Sequence, residues 1–193
     1  MLTSLRTTVA LLALVVAGSA SATTITEVSQ IAAQAVLSNG AENAGLVFHQ
    51  GDQASYNLDI SSFMKGTMSM TVKSVAADAV VIDQDMAIMG QNQSCEETIN
   101  PNNGTISKMV CNGQAQNPGD NSQIEVVDSK EASVTVPAGT FDTLWIKAHN
   151  KKDNTDIQQW INPKLIPVMG LVKMQAPTQM GEMNVELTSF KKN

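Results

Sequence analysis

The sequence predicts a mainly β protein: a curved antiparallel sheet, an incomplete β-barrel, with one N-terminal helix packed on its concave face. Three observations predict it. Beyond about Leu46, apolar and polar residues alternate with a period of two in segment after segment. Short polar connections join these segments, as an antiparallel meander requires. A single early stretch has helical spacing, so the helices that a doubly wound parallel sheet interleaves between its strands are missing from the pattern.

In chain order, residues 1–22 read as a secretory signal peptide. Arg6 supplies the positive start, Val9 to Ala17 is an unbroken apolar run, and Ala20-Ser21-Ala22 is a small-residue cleavage site. Nine apolar residues fall short of the roughly 20 a spanning helix needs. The expected mature chain, 23–193, is a single β-rich domain without a transmembrane segment. The helix follows: Thr24 and Glu27 have capping-box spacing, Val28, Ile31, Ala32, Ala35 and Val36 recur on one face, and Asn39-Gly40 stops it.

Strands are then expected at 53–60, at 64–73, where Met64, Met68, Met70 and Val72 alternate with polar residues, and at 79–90 and 91–99. Further strands are expected at 105–112, 123–128, 131–136, 141–149, 155–161, 170–175 and 182–187. The polar stretch 112–122 reads as a loop. Cys95 and Cys111 lie symmetrically about Asn103, within the turn signal Pro101-Asn102-Asn103-Gly104, so a hairpin there sets them face to face. In an exported chain such a pair reads as a disulfide. Folding residues 141–161 about Lys151-Lys152-Asp153-Asn154 sets Trp145 opposite Trp160 and His149 opposite Asp156.

Composition narrows the function classes. Arg6 is the only arginine, and the mature chain would carry eleven lysines against eighteen carboxylates, about −7. Nucleic-acid binding is not expected, because phosphate-neutralising cations and stacking aromatics are scarce. His49 and His149 have no metal-ligand spacing, and no nucleophile elbow, zinc motif or phosphate loop occurs. No catalytic residue, metal or cofactor is therefore assigned, and the chain is not read as an enzyme. Asp83 and Asp85 share one strand face and read as solvated; Glu96 and Glu97 fall on opposite faces.

The unusual resource is methionine, eleven residues against seven aromatics. A methionine face can repack around irregular apolar ligands such as acyl chains, or it can fill a core short of aromatics. The candidate ligand-binding residues are Met64, Met68, Met70, Met86 and Ile88, with Leu165, Ile166 and Met169 from a proline-bounded loop that could gate a cavity or close the core. The expected function is a periplasmic or secreted binding protein for a hydrophobic or amphipathic small molecule. The alternative is a cell-envelope structural or protein-interaction protein with a filled core.

Val136-Pro137-Ala138-Gly139-Thr140-Phe141-Asp142-Thr143-Leu144, followed by Trp160, a proline-containing loop and Gly170-Leu171-Val172-Lys173, resembles a family of exported proteins from Gram-negative bacteria. That family is similar to the LolA/LolB-like lipoprotein-carrier superfamily. The resemblance implies an incomplete antiparallel barrel with helical cover and binding of a lipid, an acyl chain or another amphipathic ligand. The segment itself reads structurally: Pro137 ends one strand, Gly139 permits a tight turn, and Phe141 opens the next strand with its ring available to the core.

Overall fold

The computed structural model describes residues 46–61, 64–118, 124–178 and 180–193. The expected signal peptide and the helix of residues 24–38 lie outside these residues. Among the described residues there is no helix, and all regular structure is β: β1 (Gln53–Ile60), β2 (Met64–Val75), β3 (Val80–Ile88), β4 (Gln91–Ile99), β5 (Ile106–Cys111), β6 (Gln114–Gln116), β7 (Ile124–Val136), β8 (Gly139–Asn150), β9 (Thr155–Ile161), β10 (Leu171–Thr178) and β11 (Gly181–Lys191).

These strands form one antiparallel sheet in the order β6-β5-β4-β3-β2-β1-β11-β10-β9-β8-β7. Each strand pairs with its sequence neighbours, except that the first and last pair with each other in the middle of the sheet. Strands β6 and β7 are its edges and do not pair, so the barrel is not closed. One residue of β6 after another is exposed, whereas β7 is a thirteen-residue strand with charged residues along it. Short and charged edges are the usual protection against pairing with another chain.

Alternation places one face inward. Ala54, Tyr56, Leu58 and Ile60 of β1 are buried, as are Met68, Met70 and Val72 of β2 and Met183, Val185 and Leu187 of β11. Tyr56 is fully buried, and its hydroxyl donates to the Leu171 carbonyl at 3.3 Å, joining β1 to β10 across β11. Burial pushes the Tyr56 hydroxyl pKa up. Asp52, also fully buried just before β1, is fully employed: it accepts the His49 backbone N–H at 2.9 Å and that of Asn193 at 2.8 Å.

Three elements differ from expectation. The stretch 112–122 contains β6, whose Gln-Ala-Gln has no apolar alternation to mark a strand. The two segments 123–128 and 131–136 are one strand, β7, with a register shift between Val126 and Asp128. In β8, alternation puts Leu144, Ile146 and Ala148 on one face and Phe141 and Thr143 on the other, yet Phe141, Thr143, Ile146 and Ala148 are all buried. The reason is the end of β9, which pairs with β8 only from Leu144 onward. Past that point the β7–β8 tip is free of its inner neighbour and folds toward β11: the Ala138 N–H donates to the Leu187 carbonyl at 3.0 Å, and Phe141 meets Phe190 edge-on at 6.3 Å.

Two register expectations hold. Cys95 lies opposite Cys111 and the two form a disulfide across β4 and β5. The connecting turn is held by the Asn100 carbonyl, which accepts the Gly104 N–H at 2.8 Å, and by the Asn103 side chain, which accepts the Thr105 N–H at 2.9 Å. Trp145 pairs with Trp160 and His149 with Asp156, the latter at 2.9 Å between Nδ1 and Oδ1. The two indoles are engaged by lysines on the outer face, Lys130 Nζ lying 4.7 Å from the Trp145 ring centre and Lys173 Nζ 5.9 Å from that of Trp160.

Candidate ligand-binding face

The pleat of β2, β3 and β4 arranges the inner face in rows. Tyr56, Met68, Met86 and Gln93 form one row across β1 to β4; Ala54, Met70, Gln84, Cys95 and Cys111 form the next; Val72, Ile82, Glu97 and Met109 form a third. Met68, Met70 and Met86 are therefore true neighbours, and all three are buried. Met64 and Ile88 sit half-buried toward the end of β2 and β3, packed against the same core. Between them lies Gly66, where an added Cβ would come within 2.5 Å of the Ala87 carbonyl oxygen, so a close approach of β2 to β3 excludes any side chain.

The loop residues divide. Ile166 and Met169 are buried in the core with Val168, while Leu165 is exposed. Asn162 organises this infolding: its backbone N–H donates to the Gly170 carbonyl at 2.7 Å, its Oδ1 accepts the Leu165 N–H at 3.0 Å, and its Nδ2 donates to the Asp142 carbonyl at 2.8 Å. The return is tight. Val168 and Gly170 both have positive φ, 66° and 70°, and a Cβ on Gly170 would lie 2.7 Å from Pro163 Cα. Ile166 and Met169 thus join the same continuous core as Met68, Met70 and Met86, although no strand pairing sets them beside the methionine rows.

Two polar residues interrupt the apolar rows. Gln84 stands between Met70 and Cys95, and Glu97 between Ile82 and Met109; both are 98% or more buried. Gln84 Oε1 and Glu97 Oε2 have no hydrogen-bond partner. Leaving a buried acceptor unmatched costs about 1–3 kcal/mol. Burial pushes the Glu97 carboxyl up to about 7. Asp59 Oδ1 is likewise unpartnered, but it belongs to a carboxylate already paired with Lys65 at 3.0 Å. The sequence signal for the pair was available: Gln84 falls in register with Ile82 and Met86, and Glu97 with Cys95 and Ile99, so each is a polar residue on an apolar beat.

The outer face of the same strands is polar. Lys73 Nζ bridges Glu96 Oε2 at 2.7 Å and Asp83 Oδ1 at 3.5 Å, which holds the Lys73 pKa up and that of Glu96 down, chiefly through their mutual hydrogen bond. Asp85 is exposed beside them. An open depression of about 520 Å³ is lined mainly by outer-face residues such as Ser55, Asn57, Thr67, Ser69 and Asp85, and is touched by Met68 and Met86. Glu96 and Glu97 point to opposite faces, as alternation requires. Among the described residues no three His, Cys, Asp or Glu side chains gather as a metal site would need, and no helix is long and apolar enough to cross a membrane.

No family model matches the chain. No curated protein matches it either. Among solved structures, the chain is similar to the hypothetical protein CT021 from Chlamydia trachomatis, with a TM-score of 0.50 at 12% identity over 78% of this chain and 91% of that one. A Bacteroides fragilis protein taken to be exported, with a YmcC-like fold, aligns at a TM-score of 0.44 and 14% identity over 75% of this chain and 97% of that one. MucB aligns at 0.44 and 11% over 81% of this chain but only 58% of its own. The likeness to CT021 is one of fold.

Proposed function

We propose that the protein is a periplasmic or secreted binding protein, without catalytic activity, that holds a lipid, an acyl chain or another amphipathic molecule against the inner face of β2 to β4. One observation carries this reading: an unclosed sheet presents Met68, Met70 and Met86 in adjoining register, and thioether side chains repack around irregular apolar shapes more readily than branched ones. Met64 and Ile88 extend the same surface.

The second reading, an envelope protein with a filled core that meets another protein, draws support from Ile166, Val168 and Met169, which pack into one continuous core with Met68, Met70 and Met86. Native mass spectrometry of protein purified from its source separates the two. A copurifying lipid is the expected result, and a consistently ligand-free chain would sink the binding reading. In a displacement assay with a fluorescent fatty acid, Met70→Lys is expected to lose binding while the chain is still exported and folded.

A further inference from the structure

We propose that Gln84 and Glu97 form the head-group subsite of this inner face, and that it takes an uncharged head group carrying hydroxyl donors, such as the glycerol of a singly acylated lipid. This rests on the binding reading above and names the chemistry of its ligand.

The two residues are diagonal neighbours on adjacent strands, Gln84 opposite Cys95 and Glu97 two residues further along β4. Such a diagonal spans about 7 Å, within reach of one small polyol. Gln84 Oε1 is an acceptor in every state and Glu97 Oε2 is one when its carboxyl is ionised and can donate when protonated, so a hydroxyl, which both donates and accepts, completes the pair. The methionines lie beside them: Met70 faces Gln84 directly, and Met86 follows it on the same strand face. An acyl tail on Met68, Met70 and Met86 would bring its polar end to this pair.

An anionic head group does not fit. The cross-strand neighbours of Glu97 on this face are Ile82 and Met109, and Lys73 is held on the other face by Glu96 and Asp83. A fatty acid carboxylate would meet Glu97, once ionised, as a like charge with no cation to offset the pair. Structural necessity does not account for the pair either. The buried carboxylate of Asp52 shows what a structural acid looks like in this chain, with both oxygens accepting backbone N–H groups. Glu97 has no such partner.

The test compares two probes with the same tail, monoolein, which has two hydroxyl donors, and methyl oleate, which has none, on the exported protein and on Glu97→Leu, Glu97→Gln and Gln84→Leu. The wild type is expected to bind monoolein about tenfold tighter than methyl oleate, the scale of a desolvated hydrogen bond to a charged or buried acceptor. Glu97→Leu and Gln84→Leu should bring that ratio to about one while leaving methyl oleate bound. Glu97→Gln, the same shape, keeps the experiment readable if the leucine variants do not fold, and should reduce the ratio part of the way. A wild-type ratio near one, or a ratio unchanged in the variants, overturns the subsite while the binding reading stands. Failure of both probes to bind overturns the two together.

Discussion

The two halves of the sheet use the same alternation to different ends. In β7 to β11 the inner face is closed by the chain itself: the infolded loop 162–170 delivers Ile166, Val168 and Met169, and the β7–β8 tip lays Phe141 against Phe190. There Thr143 Oγ1 donates to the Ala132 carbonyl at 2.7 Å. In β2 to β5 the inner face is methionine-rich, cross-linked by Cys95–Cys111, and holds two acceptors without partners. One alternation rule thus carries an infolded loop on one side of the sheet and, on the other, a methionine face in which Gln84 Oε1 and Glu97 Oε2 stand without partners.

The largest effect should come from placing the same charge in each half. Met169→Asp puts an unpaired carboxylate into the filled half and is expected to cost more than about 4 kcal/mol, abolishing the cooperative unfolding transition in circular dichroism. Met70→Asp should leave a measurable transition and remove ligand binding. Equal loss of fold in both variants would erase the distinction between the halves.

The disulfide comes next. It ties β4 to β5 within the N-terminal half, and in the chain-entropy model a loop of this length contributes about 3 kcal/mol. Cys95→Ser with Cys111→Ser should lower stability by that order, and hydrogen exchange should accelerate first in β4 to β6. Loss of protection spread evenly to β9 and β10 would count against separate halves.

Glu97 makes a prediction of similar size with a definite sign. Burial raises its pKa from 4.5 to about 7, so the folded chain holds this proton when the unfolded chain has released it. Its contribution to stability is therefore greatest below about pH 4.5, falls as pH rises through 7, and is constant above. The drop is about 3 kcal/mol, from a linkage of 1.36 kcal/mol per unit. The difference in denaturant unfolding free energy between wild type and Glu97→Gln, measured from pH 4 to 8, should show this fall; a flat difference would refute it. The smallest effect is Lys130→Ala, which removes the cation over Trp145 and should cost about 0.5–1 kcal/mol while quenching or shifting only that indole's fluorescence.

Much of the sheet was legible because half-buried strands announce themselves. The segment Met64 to Lys73 alternates with Gly66 as its one break on the apolar beat, and symmetric placement of Cys95 and Cys111 about Asn103 fixes a hairpin register on its own. The Trp145–Trp160 register followed from one polar turn. What was not legible depends on tertiary context. Gln114 to Gln116 is a strand only because β5 offers it an edge. The face of Phe141 and Thr143 turns inward only because β9 ends opposite Leu144. In sequence Ile166 and Met169 suited closing the core somewhat better than gating a cavity, and the contacts that fold their loop inward run through Asn162, whose side chain reaches Asp142 twenty residues away. Gln84 and Glu97 were visible as polar residues on apolar beats, but only the pairing shows that they adjoin each other and lack partners.

The position of the unpaired edges has a kinetic consequence. Because the gap falls between β6 and β7, in the middle of the chain, the strands nearest its two ends must meet each other, β1 against β11. Hairpins from β1 to β6 and from β7 to β11 are local and can form as soon as their residues are available. The β1–β11 ladder spans residues 53 to 191 and carries the largest loop-closure penalty in the molecule. A chain delivered from its N-terminus therefore waits with β1 as a temporary free edge, its Ala54, Tyr56, Leu58 and Ile60 uncovered, until the last strand arrives. Joining β1 to β11 is the step that covers this edge, so a truncation that removes β11 is expected to leave β1 unpaired on that side.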